Sequence, residues 1–237
     1  MNTPQEHLIS DASGAYSRKV WLMAAPEKLP ATRLGVFLDG EYYVNHMNAP
    51  GMIGSLQQGE MILPMACVFV SHVDGAARHR DLTCNPEYAA FIARDVVGWA
   101  RRRLPELAKG GHLIAGPSLG GLASAFTAVQ YPQVFARCLS QSGSFWWKEE
   151  WLAKHLHQMP HAQSKFWLSV GDRETAFGVS HPPTGLRQEV TQIAACERFA
   201  KALATQNHRV LYRVFEGGHE LSPWKDELPN ALQWLLS

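Results

Sequence analysis

The chain lacks the features that mark membrane, metal or nucleic-acid proteins. No apolar run approaches the roughly 20 residues that span a bilayer. The polar stretch Met1–Tyr16 shows no basic segment followed by an apolar core of the secretory kind. Neither sign of charge prevails: 22 Lys and Arg against 21 Asp and Glu leave a formal net charge of +1, so no global field invites nucleic acid. The one basic run, Arg101-Arg102-Arg103, ends a predicted helix, where cations suit the dipole. Cysteine is sparse. Cys67, Cys84, Cys138 and Cys196 show no Cys-x-x-Cys spacing, so reduced, packed thiols are expected rather than disulfides or metal ligands. Repeats, low-complexity tracts and linkers are missing too. A cytoplasmic protein is expected, without a nucleic-acid or membrane partner and without a metal; oligomeric state is left open.

What is present reads as a globular enzyme. Hydrophobic residues make up 46% and charged residues 18% of 237, which suits one α/β domain over residues 1–237. Strands are predicted at 18–25, 33–38, 65–72, 112–115, 134–139, 166–170 and 209–215. Helices are predicted at 87–104, 122–131, 149–158, 186–206 and 224–236, the first with Asn85 as cap and Pro86 at its first position. Pro26–Pro30 reads as a turn, and 73–86 and 178–185 as loops. A short helix is expected inside 42–60, and whether that stretch covers a site is open. Strands alternating with helices imply a mostly parallel sheet with right-handed crossovers.

One heptad organises the rest: Ala115-Gly116-Pro117-Ser118-Leu119-Gly120-Gly121. It lies between a short apolar strand and a helix free of Gly and Pro, the setting in which Gly-x-Ser-x-Gly forms a nucleophile elbow. Ordinary Gly and Ser usage yields about 0.1 such pentapeptides by chance in a chain of this length. Ser118 Oγ would project from the sheet, with the Leu119 N–H at the helix N-terminus facing any oxyanion that forms.

Ligands in an open parallel sheet bind beyond the carboxyl ends of the strands. The strand ends here carry Asp39-Gly40-Glu41, His72, Ser118, Asp172 to Glu174, and His219. Ser, acid, His is the chain order of the α/β-hydrolase triad. His219 follows a strand by a Gly-Gly pair that lets the ring swing over the sheet edge, which makes it the base a neutral Ser requires. Asp172 and Glu174 share one loop, and spacing does not separate them as the acid. The N–H of Gly40 or Glu41 is the second oxyanion donor, an ordinary Asp-Gly turn being the plain alternative. Trp146 and Trp147, with Phe145, either wall an acyl pocket or pack beneath a loop. Arg78 and Arg80 are either solvated or anion-binding.

The motifs together resemble the esterase-D-like α/β hydrolases, and within them the enterochelin (enterobactin) esterases. The pieces, in order, are 37–41 (Phe-Leu-Asp-Gly-Glu), 78–85 (Arg-His-Arg-Asp-Leu-Thr-Cys-Asn), 116–121, 139–147 (Leu-Ser-Gln-Ser-Gly-Ser-Phe-Trp-Trp), 171–174 and 216–220. The resemblance implies an α/β-hydrolase fold, a mostly parallel sheet with helices on both faces. It implies Ser118 as nucleophile, His219 as base, Glu174 as acid, Glu41 as oxyanion donor and Arg78 as a substrate-facing cation. The implied substrate is a small-molecule ester, a catecholate siderophore in which iron arrives only with the substrate; no cofactor is implied. Cytoplasmic enterochelin esterases carry a preceding N-terminal domain and periplasmic relatives a leader, so a stand-alone, leaderless catalytic domain is expected. A general carboxylesterase, a formylglutathione-type thioesterase or an acyltransferase would share the same machinery. A complete Ser, acid and His set argues against a non-catalytic binding module.

Overall fold

The computed structural model describes residues 3–26, 31–182 and 184–237. The predicted turn at Pro26–Pro30 therefore lies, from residue 27 on, outside the described residues. The chain opens with β1 (Gln5–Ser10) and β2 (Ser17–Met23), an antiparallel pair. Strand β1 was not legible in the sequence because it is a polar sheet edge, with only Ile9 buried. Strand β3 (Arg33–Leu38) leads through a π-helical turn, Tyr42–His46, into α1 (Ala49–Gln58) and then β4 (Met65–Val70). Helix α2 (Gly75–Asp81) occupies the expected loop at 73–86; the Asp74 side chain caps it by accepting from the Ala77 N–H at 2.8 Å.

The predicted helix at 87–104 is present as α3 (Pro86–Ala90), a π-helical segment at Phe91–Val96, and α4 (Val97–Arg103). Asn85 Oδ1 accepts from the Glu87 and Tyr88 N–H groups, as an N-cap does. Strand β5 (His112–Pro117), α5 (Leu119–Gln130) and β6 (Phe135–Gln141) follow. Helix α6 (Trp147–His155) is entered through Lys148, Glu149 and Glu150 at positive φ. After β7 (Lys165–Gly171) the chain forms a small hairpin, β8 (Val179–His181) with β9 (Leu186–Gln188). The helix expected over 186–206 thus begins later, as α7 (Gln192–Thr205): Thr191 supplies the N-cap, accepting from the Ala194 N–H, while residues 186–188 pair with β8. Strand β10 (Arg209–Phe215) and α8 (Leu221–Leu236) complete the order.

The sheet order is β1-β2-β4-β3-β5-β6-β7-β10, antiparallel at β1/β2 and β2/β4 and parallel elsewhere. Alternation along the strands divides the interior into two cores. Val36, Val68, Ile114 and Cys138 face α3, α4, α5 and α7. Phe37, Phe69, Leu113, Ala115 and Leu139 face α1 and α8. Coverage on both faces is why β4 and β5 read as unbroken apolar runs. Residues 42–60 belong to the second core through Tyr43, Met47 and Ile53, all fully buried. All four cysteines are free and buried.

Candidate active site

Strand β5 ends in a strained turn. Ser118 has φ 56° and ψ −123°, a conformation that costs a non-glycine residue about 1–3 kcal/mol. Neighbouring strands hold it there. The Ser118 N–H donates to the Gln141 carbonyl at 2.8 Å, and the Ser118 carbonyl accepts from the N–H groups of Gly121, Leu122 and Ser144. A Cβ on Gly116 would lie 2.4 Å from the Gly120 carbonyl, so only glycine lets strand and helix close this tightly. Leu119 is the first residue of α5, which leaves its N–H at the positive helix end.

His219 reaches the serine from the far side of the sheet. After β10, Gly217 adopts φ 151°, and its N–H donates to Asp172 Oδ1 at 2.9 Å. His219 Nε2 then lies 2.9 Å from Ser118 Oγ, and Nδ1 lies 2.6 Å from Glu174 Oε2. The ring packs edge-on against Trp224, centroids 5.0 Å apart. Of the two candidate acids, then, Glu174 meets the imidazole, while Asp172 fastens the turn that carries it. Glu174 is itself well anchored: Oε1 accepts from Ser142 Oγ at 2.5 Å and from the Gly171 N–H at 2.7 Å. Ser142 Oγ in turn accepts from Trp224 Nε1 at 3.0 Å, and the Gln192 amide donates to the Ser142 and Gly143 carbonyls. Sequence reasoning assigned no role to Ser142, Trp224 or Gln192. Ser142 lies in the 139–147 motif, whereas nothing local singles out Trp224 or Gln192.

The turn after β3 lies beside the elbow. Asp39 has φ 56°, and a Cβ on Gly120 would come within 2.9 Å of its carboxylate. Gly40 passes so close to β4 that a Cβ would sit 2.7 Å from the Val70 nitrogen. The Asp39 side chain is fully buried and takes a two-pronged contact from Arg78, at 2.8 and 2.7 Å. Nδ1 of His72 is 3.1 Å from both Asp39 Oδ1 and Glu41 Oε2, at ion-pairing distance rather than in hydrogen-bond alignment. The Asp39 and Glu41 carboxylates raise His72 to about 9 against the opposing cost of burial. Burial works to raise Glu41, yet His72 and the Ser71 hydroxyl outweigh it and hold the carboxyl at about 2.

Ser118 and His219 open onto a cavity of about 660 Å³. Leu119, Ser144, Trp146, Arg78 and Arg173 line it, and the β8–β9 hairpin forms one wall. Trp146 stacks on His181 of that hairpin, centroids 5.0 Å apart and ring planes nearly parallel. His181 therefore belongs to the wall and not to the serine. Trp147 does not share this position. It is buried in the first core, packed edge-on against Trp151, because α6 starts there and turns the ring inward. Gly40 and Glu41 also lie outside the cavity lining. Among the described residues, no group of three or more His, Cys, Asp or Glu side chains has the arrangement of a metal site, and no helix is long and apolar enough to cross a membrane.

A protein-family model described as "Putative esterase" matches residues 18–235. The chain belongs to this esterase family. An iron(III) enterobactin esterase of Dickeya dadantii (strain 3937) is 26% identical to this chain over 225 residues, 93% of this chain and 52% of that protein. The iron(III) enterobactin esterase of Escherichia coli (strain K12) is 25% identical over 228 residues, 91% of this chain and 53% of that protein. The chain spans about half the length of the curated relatives it matches. The crystal structure of the enterobactin esterase FES from Shigella flexneri in the presence of enterobactin superposes with a TM-score of 0.84 at 23% identity, covering 98% of this chain and 58% of that one. That likeness establishes the α/β-hydrolase fold for this chain.

Proposed function

We propose that this chain is a serine esterase whose substrate is an enterobactin-type catecholate siderophore, and that residues 1–237 act as one catalytic unit. The contact carrying this reading is the relay Glu174–His219–Ser118, at 2.6 and 2.9 Å, opening onto the cavity. His219 takes the Ser118 proton as Oγ attacks the ester carbonyl, and Glu174 stabilises the imidazolium that forms. The Leu119 N–H and a donor of the Gly40–Glu41 turn receive the negative charge on the carbonyl oxygen, each such donor being worth about 3 kcal/mol of barrier. His219 then protonates the leaving alkoxide. Water, activated by the same ring, cleaves the acyl-enzyme and returns Ser118 to its starting state. No cofactor enters these steps, and iron comes only with the substrate.

The siderophore assignment draws on the relatives' enterobactin esterase names and on the cavity itself, whose Trp146 wall and Arg173 cation suit a planar, anionic acyl group. Incubation with ferric enterobactin, iron-free enterobactin and p-nitrophenyl esters, followed by mass spectrometry of the products, tests it. Stepwise opening of the trilactone is expected, and Ser118→Ala should abolish it. Turnover of simple esters alone would make the chain a general carboxylesterase. Transfer to an added alcohol or thiol would make it an acyltransferase.

A further inference from the structure

Arg78 stands on α2 with most of its fork committed to a single partner. Nε donates to Asp39 Oδ1 and Nη2 to Asp39 Oδ2, at 2.8 and 2.7 Å. Such a planar pair fixes both position and orientation. Its other member opens the turn that holds the Gly40 and Glu41 N–H groups, and its carboxylate rests on Gly120 in the first turn of α5, beside Leu119. Asp39 is a left-handed non-glycine residue, so its backbone relies on the side chain being held. Supporting groups surround the pair. His72, just beyond β4, lies 3.1 Å from Asp39 Oδ1, and the Arg78 guanidinium lies over the Tyr42 ring, 5.8 Å from its centroid.

We propose that Arg78 is a positioning residue, which acts through Asp39 to clamp the 39–41 turn against the start of α5 and so places the second oxyanion donor, instead of recognising substrate charge. This rests on the reading of Ser118 as an esterase nucleophile. An oxyanion donor contributes only where it is already aimed at the charge that develops in the transition state. Loosening the clamp therefore lowers kcat for any ester, whereas loss of a substrate-binding cation raises KM for anionic substrates alone.

Purified Arg78→Ala, Arg78→Lys, Asp39→Asn and the Arg78→Ala/Asp39→Asn pair are compared with the parent on p-nitrophenyl acetate, which is small and neutral, and on ferric enterobactin. Arg78→Ala and Asp39→Asn are each expected to lower kcat on the acetate by about 100-fold, with KM within about threefold. Arg78→Lys should fall between, because an ammonium cannot reproduce the fork. The double variant should be no worse than either single one. Multiplying losses in the double variant, or an Arg78→Ala enzyme with parental kcat on the acetate and a raised KM on ferric enterobactin only, overturns the proposal. Amide hydrogen exchange at residues 39–42 gives a readout independent of turnover. Faster exchange in Arg78→Lys or Asp39→Asn than in the parent, at unchanged global stability, supports the clamp, and unchanged exchange refutes it. A parent that hydrolyses neither ester refutes the esterase reading and leaves the exchange result to decide the clamp.

Discussion

Glu174 meets His219 at 2.6 Å, Oε2 to Nδ1, and its remaining oxygen is immobilised by Ser142 and the Gly171 N–H. Asp172, two residues earlier on the same turn, contacts the Gly217 N–H instead. The pair thus separates two carboxylates that spacing alone leaves equivalent: one faces the His219 imidazole, and the other holds the chain that carries it.

Glu174→Gln should preserve the fold but favour the wrong imidazole tautomer, lowering kcat by about 10⁴-fold. Asp172→Asn keeps an oxygen for the Gly217 N–H and should cost less than about tenfold. Steady-state hydrolysis of a p-nitrophenyl ester by both variants checks the assignment; the opposite ranking would transfer the acid role to Asp172.

Ser142→Ala removes the hydroxyl that donates to Glu174 and leaves Trp224 Nε1 without its acceptor. Loss of a hydrogen bond to a charged group costs about 1.5–3 kcal/mol, so a fall of about ten- to a hundredfold in kcat is expected if the loss is felt mainly in the transition state. Ser142→Thr, which keeps the hydroxyl, should restore much of it. Equal activity in the Ala variant and the parent would show that the Gly171 N–H alone suffices to hold the acid.

The adjacent tryptophans should respond in opposite ways. Trp146 lines the cavity, so Trp146→Ala should raise KM for aromatic acyl esters more than for the acetate. Trp147 is packed in the core, so Trp147→Ala should destabilise by about 3–5 kcal/mol and leave KM of the folded enzyme nearly unchanged. Paired thermal melts and KM measurements separate the two.

His72 makes stability depend on alkaline pH. Its folded value of about 9 exceeds the ordinary 6.5, so the proton held between Asp39 and Glu41 stabilises the fold fully below about pH 6.5. That contribution declines as pH rises and is lost above about pH 9, a change on the order of 2 kcal/mol. Glu41, held at about 2, acts in the other direction: its contribution is present above the ordinary 4.5 and disappears as pH falls through 2. Urea melts at pH 6 and pH 9.5 should show the alkaline loss in the parent and a smaller one in His72→Gln. An identical loss in both would assign the effect to another group.

Much of the fold was legible because both faces of the sheet are covered: β3 after Arg33, β4 throughout and β5 from Leu113 to Ala115 are short apolar runs. Elements at the rim were not. Strand β1 is polar because it is an edge, α2 is polar because it carries the Arg78 pair, and β9 has no pattern of its own and exists by pairing with β8. The predicted helix start at 186 failed for that reason, since long-range pairing and the Thr191 cap prevail over local propensity.

The site divides the same way. Sequence by itself determined the elbow, because the close approach of Gly116 to Gly120 around Ser118 is a local steric demand, and it determined His219, because strand order and a Gly-Gly pair place a histidine at the sheet edge. Tertiary structure alone decided which carboxylate meets that histidine, which tryptophan faces the cavity, and that Arg78 is paired with Asp39. Each of these depends on where a side chain from one element meets another 39 to 45 residues away, or on the face that a helix start turns inward. Such contacts are set by how β3, β7, β10 and their helices pack together, and no local run of residues encodes that packing.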